Sequence, residues 1–332
     1  MAKQLVSVVV PVFNEEEVLP LLYERLTATL AKTGMDWEIV FVDDGSSDRS
    51  WAMLAALQAS DPRVVALSFS RNFGHQMAVS AGLDHARGDA VVFIDADLQD
   101  PPEVILQFVQ RFREGYDVAY GVREQRLGES LFKRATAALF YRTIRRITSV
   151  DIPADTGDFR IVSRRVADAL RTLPEKHRFI RGLVSWVGFK QIGVPYVRQP
   201  RAAGETKYPL RKMLRFASDA VTSFSTAPLR LATTAGVVAS LFAFLYAAFA
   251  IVRKLVDGTT VEGWASLIVV VAFLGGLQLL ALGIIGAYVG RIYEQIKDRP
   301  LYVIAEVRSS RAPDAVSVPA NEYVPSSSIE AK

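Results

Sequence analysis

Hydrophobic positions are distributed along the chain in two ways. Over roughly the first two hundred residues they come in short runs: Leu5–Phe13, Trp37–Val42, Val64–Phe69, Ala90–Ile94 and Val118–Gly121. Runs of this length, rich in Val, Ile and Leu, predict buried strands. Between them lie stretches with helical spacing, Val18–Lys32, Trp51–Ala59, one ending at Ala86, and Glu103–Arg113. Strands alternating with helices predict βαβ units, hence a mostly parallel sheet covered by helices on both faces. After Asp155-Thr156-Gly157-Asp158-Phe159-Arg160, the pattern predicts a helical stretch to about Trp186 and a strand near Ile192–Arg198, with Leu301–Val307 as an edge strand.

The second regime is continuous. Leu231–Val252 and Ala265–Tyr288 run for 22 and 24 residues without a charge, enough to cross a bilayer as helices and longer than soluble helices that are apolar all round. The short link between them makes a hairpin. Arg211, Lys212, Arg215 and Arg230 precede it and Arg291, Lys297 and Arg299 follow, whereas the link carries only Arg253 and Lys254. Positive flanks predict that both termini and the catalytic domain stay on the cytoplasmic side of the cell (inner) membrane. Gly283, Gly286 and Gly290 permit close helix contact, either within the hairpin or between subunits of a homo-oligomer.

Two further stretches are amphipathic and basic. Leu131–Ile147 fits a helix on an anionic membrane surface or a globular helix with a charged outer face. Leu210 to Phe224, directly before the first span, is predicted to lie at the membrane interface. The expected organisation is a catalytic domain over residues 1–200, a cationic loop and juxtamembrane helix over 201–230, the hairpin over 231–290, and a C-terminal segment over 291–332, largely disordered after about 308.

Composition agrees with a membrane protein. Half of the 332 residues are apolar and the mean hydropathy is +0.20. The absence of cysteine excludes disulfides and Cys-ligated metal sites. Three dispersed histidines suggest no metal cluster, and the N-terminus lacks the features of a secretory signal. The net charge of +4 is modest, and no nucleic-acid partner is expected.

The chemistry centres on Ala90–Glu103, AVVFIDADLQDPPE. A buried strand ending in Asp95-Ala96-Asp97 puts carboxylates at the carboxyl edge of the sheet, where open α/β folds bind ligands. There is no G-x-G-x-x-G after the first strand, no Walker loop and no G-x-S-x-G elbow, which disfavours a dinucleotide dehydrogenase, a P-loop NTPase and an α/β-hydrolase. What remains is a site that holds a nucleotide diphosphate through Mg²⁺ or Mn²⁺, with Asp95, Asp97 and Gln99 as oxygen ligands. Asp43 and Asp44, ending the second strand, are placed to accept hydrogen bonds from a base or ribose.

PVFNEEE, VDDGSSD, SRNFGH, IDADLQDPPE, TGDFR, RAAGETKY and GAYVGRIYEQIKDRPLY together resemble the family 2 polyprenyl-phosphate glycosyltransferases, in the family's order and over nearly the whole chain to about Tyr302. The most similar type is the bactoprenol (undecaprenyl-phosphate) glucosyltransferase, with dolichol-phosphate mannosyltransferases more distant. The resemblance implies a GT-A fold and inverting transfer of a hexose, glucose on UDP by resemblance alone, from a nucleotide-diphosphate sugar to a polyprenyl phosphate in the bilayer. It implies Pro11, Phe13, Glu15 and Asp44 as nucleotide contacts and Asp158 as candidate base. Asp95, Asp97 and Gln99 become the metal and diphosphate set, and Arg123, Arg201, Lys207 and Arg211 face donor or acceptor phosphates. Thr206 stands where the family more often has Ser, and His75 where Lys is frequent. A phosphate monoester acceptor is mostly dianionic at neutral pH, so Asp158 has little proton to remove. Competing readings are a processive polysaccharide synthase, which usually carries Q-x-x-R-W and more spans, a nucleotidyltransferase of similar fold, and a non-catalytic membrane accessory subunit.

Overall fold

The computed structural model describes residues 3–123, 156–176, 178–199, 225–257, 263–310 and 322–323. They fall into two units, one built on a sheet and one on two long helices. The predicted helix Leu131–Ile147, the juxtamembrane helix at Leu210 to Phe224, and Arg201, Lys207 and Arg211 lie outside the described residues.

In the sheet unit, strand β1 (Leu5–Val12) is followed by helix α1 (Leu19–Leu30), β2 (Asp36–Asp43), α2 (Ser50–Ser60), β3 (Val64–Phe69), α3 (His75–His85) and β4 (Ala90–Phe93). A short 3₁₀ turn, Pro102–Val104, leads into α4 (Ile105–Arg113) and then β5 (Val118–Arg123). Next come β6 (Thr156–Ser163), α5 (Arg164–Arg171), α6 (Ile180–Trp186) and β7 (Gln191–Tyr196). Strands β8 (Tyr302–Arg308) and β9 (Glu322–Tyr323) complete it. Most predicted boundaries hold to within a residue or two.

Among the described residues the strand order is β7-β5-β6-β4-β1-β2-β3-β8-β9. The pairs β1–β2, β1–β4, β2–β3, β5–β7 and β8–β9 are parallel, and β3–β8, β4–β6 and β5–β6 antiparallel. The sheet is therefore mixed but mostly parallel. Every residue of β1 after Leu5 is buried, as is every residue of β2 after Asp36. Central strands covered on both faces are why these segments are continuous apolar runs rather than alternating ones.

The helices cover the sheet through spaced apolar positions. Leu19, Leu22, Leu26 and Leu30 of α1 are all fully buried. Their spacing of three, four and four is one helical stripe, and each side chain contributes about 1.5–3 kcal/mol by leaving water. Helix α5 buries Val166, Ala167 and Leu170. Two of its arginines reach carbonyls at and just beyond the end of α3: Arg171 donates to Ala86 O at 2.7 Å, and Arg164 Nε to Gly88 O, in the loop that follows, at 2.9 Å. Cations there satisfy carbonyls that have no intrahelical partner.

Three features depart from the sequence pattern. Thr156–Ser163 is a strand, where a helical stretch was predicted from the region after Arg160 onward. Its polar positions Asp158 and Arg160 interrupt an otherwise apolar run, and Arg160 is nonetheless 3% exposed. Strand β8 is no edge, since it pairs with β3 on one side and β9 on the other. Glu322–Tyr323 forms that last strand within the segment expected to be largely disordered.

The second unit holds α7 (Ala227–Asp257) and α8 (Trp264–Ile296). The most apolar 18-residue stretch within Ala227–Val252 has a mean hydropathy of 2.3, and that within Leu267–Ile296 one of 2.6. Leu231, Phe242, Phe244 and Leu279 are each about 70% exposed, at 70%, 69%, 73% and 72%. Apolar surface of this extent belongs in lipid rather than water, so the pair fits a membrane-associated protein. The helices pack as a hairpin, with Tyr288 Oη donating to Ser225 O at 2.6 Å. Among the described residues, a Cβ built on Gly283, Gly286 or Gly290 meets no atom within 4 Å.

Candidate active site

The strand order reverses between β1 and β4: β2 and β3 extend to one side of β1, β4 and β6 to the other. A crevice opens at such a switch point at the carboxyl ends of the strands. Phe13 follows directly on β1, and Asp95 comes two residues after the end of β4. Because β6 is antiparallel to β4, with Phe93 opposite Arg160, its amino end reaches this same edge and brings Asp158 beside Asp95. Strand β5 is also antiparallel to β6, so its last residue, Arg123, arrives there too.

The β1 and β2 edges are zipped together by polar contacts. Asn14 N donates to Ser46 Oγ at 2.9 Å, Ser47 N to Asn14 Oδ1 at 2.8 Å, and Glu15 N to Ser50 Oγ at 3.0 Å. Asn14 adopts φ 55°, a left-handed turn that Asn tolerates because its side chain bonds locally. Pro11 is buried in β1 opposite Val42, whereas Phe13 is 46% exposed at the crevice.

Asp43 is 1% exposed and its oxygens accept from Ser46 N and Ser68 Oγ, both at 3.2 Å. Asp44 accepts from Phe73 N at 2.7 Å and from Gly74 N at 3.0 Å. Burial pushes both carboxyls up, and hydrogen bonds from Ser46 and Ser68, or from Phe73 and Gly74, oppose it. These aspartates therefore shape the turn and the Arg71–Gly74 loop, where their sequence position pointed only to ligand contacts. Gly45 makes that packing possible: at φ +71°, a Cβ there would lie 2.6 Å from the Arg71 carbonyl carbon and 2.7 Å from Asn72 N.

Beyond β4, Asp95, Asp97 and Gln99 are partly exposed and alternate with buried Ala96, Leu98 and Asp100. The three oxygen-bearing side chains thus share the open side. Gln99 N donates to Asp97 Oδ1 at 3.1 Å, closing a turn across Leu98 at φ 57°. A left-handed leucine costs about 1–2 kcal/mol, and the burial of its side chain holds it in place. Among the described residues no three acidic or histidine side chains converge to hold a metal unaided. The donor set, two carboxylates and an amide oxygen, nonetheless suits a hard divalent cation that takes its remaining ligands from elsewhere. Withdrawal from solvent raises Asp95 to about 6, with Asp158, Asp100 and Asp97 adding repulsion against the attraction of His75.

Asp158 is tightly gripped. Arg181 Nε and Nη2 donate to its Oδ1, both at 3.3 Å, and Gln76 Nε2 donates to Oδ2 at 3.0 Å. His75 Nε2 stands 3.3 Å from the same Oδ2 and 3.5 Å from Asp95 Oδ1. Burial disfavours the charge on Asp158, but Arg181, His75 and Arg160 outweigh it and hold the carboxyl well below the usual range. Burial likewise disfavours a charged His75, but Asp158, Asp95 and Asp44 push it up to about 9. Gln76 also accepts from Ile180 N at 2.9 Å, tying α3 and β6 to the start of α6. Asp158 is thus held in its charged form by the cations around it.

Arg123 lies against β7, its Nε 3.4 Å from Tyr196 Oη. Tyr196 Oη in turn donates to Asp100, which is 1% exposed. Gly157 lies against this guanidinium: a Cβ there would sit 2.8 Å from Arg123 Nη2, so the arginine end would have to shift. Gln76, Arg181, Tyr196 and Asp100 were not singled out from sequence. Gln76 adjoins the SRNFGH motif, whereas Arg181 lies 23 residues from Asp158 in the chain and carries no local signal.

The profile of the family described as glycosyl transferase family 2 matches residues 7–171. An uncharacterized glycosyltransferase of Bacillus subtilis (strain 168) is 53% identical over 90% of this chain and 92% of its own. A prophage bactoprenol glucosyl transferase homolog of Escherichia coli (strain K12) is 44% identical over 91% of this chain and 99% of its own. The bactoprenol glucosyl transferase of Shigella phage SfII is 45% identical over 90% and 97%. Likeness of this depth spans both the strands that carry Asp44, Asp95 and Asp158 and the apolar hairpin beyond them. The chain belongs to glycosyl transferase family 2 and is a glycosyltransferase built on a GT-A-like mixed sheet.

Proposed function

We propose that this enzyme moves a hexose, glucose in the favoured reading, from UDP-glucose to a polyprenyl phosphate such as undecaprenyl phosphate, at the cytoplasmic face of the membrane and with inversion. The observation that carries the proposal is the gathering of Asp95, Asp97, Gln99, Asp158 and Arg123 at one sheet edge, in a chain that also bears two bilayer-length apolar helices. Relatives 44–45% identical that are named bactoprenol glucosyl transferases support the choice of sugar and lipid.

In this mechanism Pro11, Phe13, Glu15 and the Asp43-Asp44 edge frame the nucleoside. Asp95, Asp97 and Gln99 would hold Mg²⁺ or Mn²⁺, which when bound neutralises charge on the departing diphosphate. Arg123, steadied by Tyr196, faces a phosphate of donor or acceptor. A phosphate monoester has a second pKa of about 6, so at neutral pH its oxygen is already a nucleophile. That oxygen forms the new bond to the anomeric carbon as the bond to the nucleotide diphosphate breaks, so no proton need be removed. Asp158 contributes by fixing His75 and Arg181 across from Asp95, bringing two anions together in a defined geometry. Arg201, Lys207 and Arg211 precede the first span in sequence and would hold the lipid phosphate at headgroup height.

Full-length protein in detergent, given Mn²⁺, radiolabelled UDP-glucose and undecaprenyl phosphate, is expected to move label into the organic phase, and Asp97→Ala is not. A protein that transfers no sugar from a panel of UDP- and GDP-sugars refutes the proposal.

A further inference from the structure

Strand β8 follows the second apolar helix in sequence, yet it packs against the end of β3 that leads into the Ser70–Gly74 loop. Tyr302 is 1% exposed. Its ring stacks on Phe69 at a centroid distance of 5.2 Å and 15° between planes. Phe69 meets Phe73 edge-on at 5.6 Å and 83°. The backbone N–H groups of Phe73 and Gly74 are the donors that hold Asp44. Val303 O accepts from Ser70 N at 3.0 Å, fixing the first residue of the same loop. Tyr302 Oη donates to Asp84 Oδ2 at 2.8 Å, and Trp51 Nε1 to Glu306 Oε2 at 3.2 Å, so β8 is anchored on α3 and α2 as well as on β3.

We propose that Tyr302 is a positioning residue for the sugar-nucleotide donor: through Phe69 and Phe73 it sets the Ser70–Gly74 loop that orients Asp44. The inference rests on the assignment of the Asp44 edge to the donor. Aromatic contacts of this kind are directional as well as apolar, so the ring stack fixes where the loop sits, beyond the area it buries. The outermost covered strand is supplied from after the membrane hairpin, and donor recognition therefore depends on residues at both ends of the chain.

The test compares KM for UDP-glucose, kcat and melting temperature in the full-length protein. Tyr302→Leu, which keeps an apolar side chain but loses the stack, is expected to raise donor KM about three- to tenfold with kcat changed less than about twofold. Tyr302→Phe keeps the stack and is expected to stay within about twofold of wild-type KM. Leu26→Ala on α1 is the control: it lowers the melting temperature without moving KM, as any purely structural loss would. Should Tyr302→Leu fail to accumulate, Phe73→Leu, at a half-buried loop position, carries the same expectation. Asp44→Ala separates the two levels of the argument. If its donor KM is unchanged, the donor assignment is wrong; if it rises while neither Tyr302→Leu nor Phe73→Leu raises KM, the positioning role is overturned.

Discussion

Replacing Asp158 by Asn tests whether this carboxylate removes a proton or organises charge. A true general base contributes roughly 10²–10⁴ in rate. Asp158 is 12% exposed and faces Arg181, Gln76 and His75; Arg181, His75 and Arg160 hold its carboxyl well below the usual range against the opposing effect of burial. On a phosphate acceptor that is already dianionic, Asp158→Asn should therefore cost about tenfold or less in kcat. Asp97→Ala should cost about 10³-fold or more, because it removes an oxygen ligand from a cation that stabilises the leaving diphosphate by several kcal/mol, at about 1.4 kcal/mol per decade. Stability follows a separate scale. The asparagine keeps an oxygen for Arg181 but turns an NH₂ towards His75 and Gln76, so the fold should lose about 3 kcal/mol or less. That corresponds to a fall in melting temperature of up to about 10 °C for a domain of this size. Initial rates at saturating donor and acceptor, on protein shown by thermal denaturation to be folded at the assay temperature, decide the matter. Equal losses in the two variants would refute the argument.

Three other outcomes follow from the geometry. Gly45→Ala should destabilise by about 2 kcal/mol or more, through both its positive φ and the Cβ overlap with Arg71 and Asn72, and should raise donor KM; a silent substitution in denaturant titration and kinetics would show that the loop adapts freely. His75 has a folded value of about 9 against 6.5 in the free side chain, so the stability it contributes is complete below pH 6.5 and fades as pH rises to 9. The wild-type melting temperature should therefore fall relative to His75→Gln across that window, and parallel curves would contradict the ion pairs at Asp158 and Asp95. Chelation with EDTA should stop transfer, and Mn²⁺ or Mg²⁺ should restore it to the wild type but poorly to Asp97→Ala; turnover that survives chelation counts against the oxygen set at Asp95, Asp97 and Gln99.

Much was determined by the amino-acid sequence alone. Strands β1 to β4 and helices α1 to α4 were legible because strands buried on both faces are continuous apolar runs and their covering helices keep a spaced stripe, as the four buried leucines of α1 show. The two bilayer-length helices were legible for the simpler reason that charge is absent over 22 and 24 consecutive residues within them, and the acidic motif after β4 because it ends a buried run. Strand β6 was not legible, since Asp158 and Arg160 break its hydrophobic pattern and only pairing with β4 and β5 supplies its partners. Tertiary structure alone decided that Asp44 holds the Phe73–Gly74 backbone, that Asp158 is clamped by Arg181 and Gln76, and that Tyr302 returns from beyond the hairpin to brace the opposite end of the chain. Each is a contact between residues distant in sequence. Local periodicity records which face of an element is buried; it holds no record of which other element buries it, and that choice sets the charge environment in which the site works.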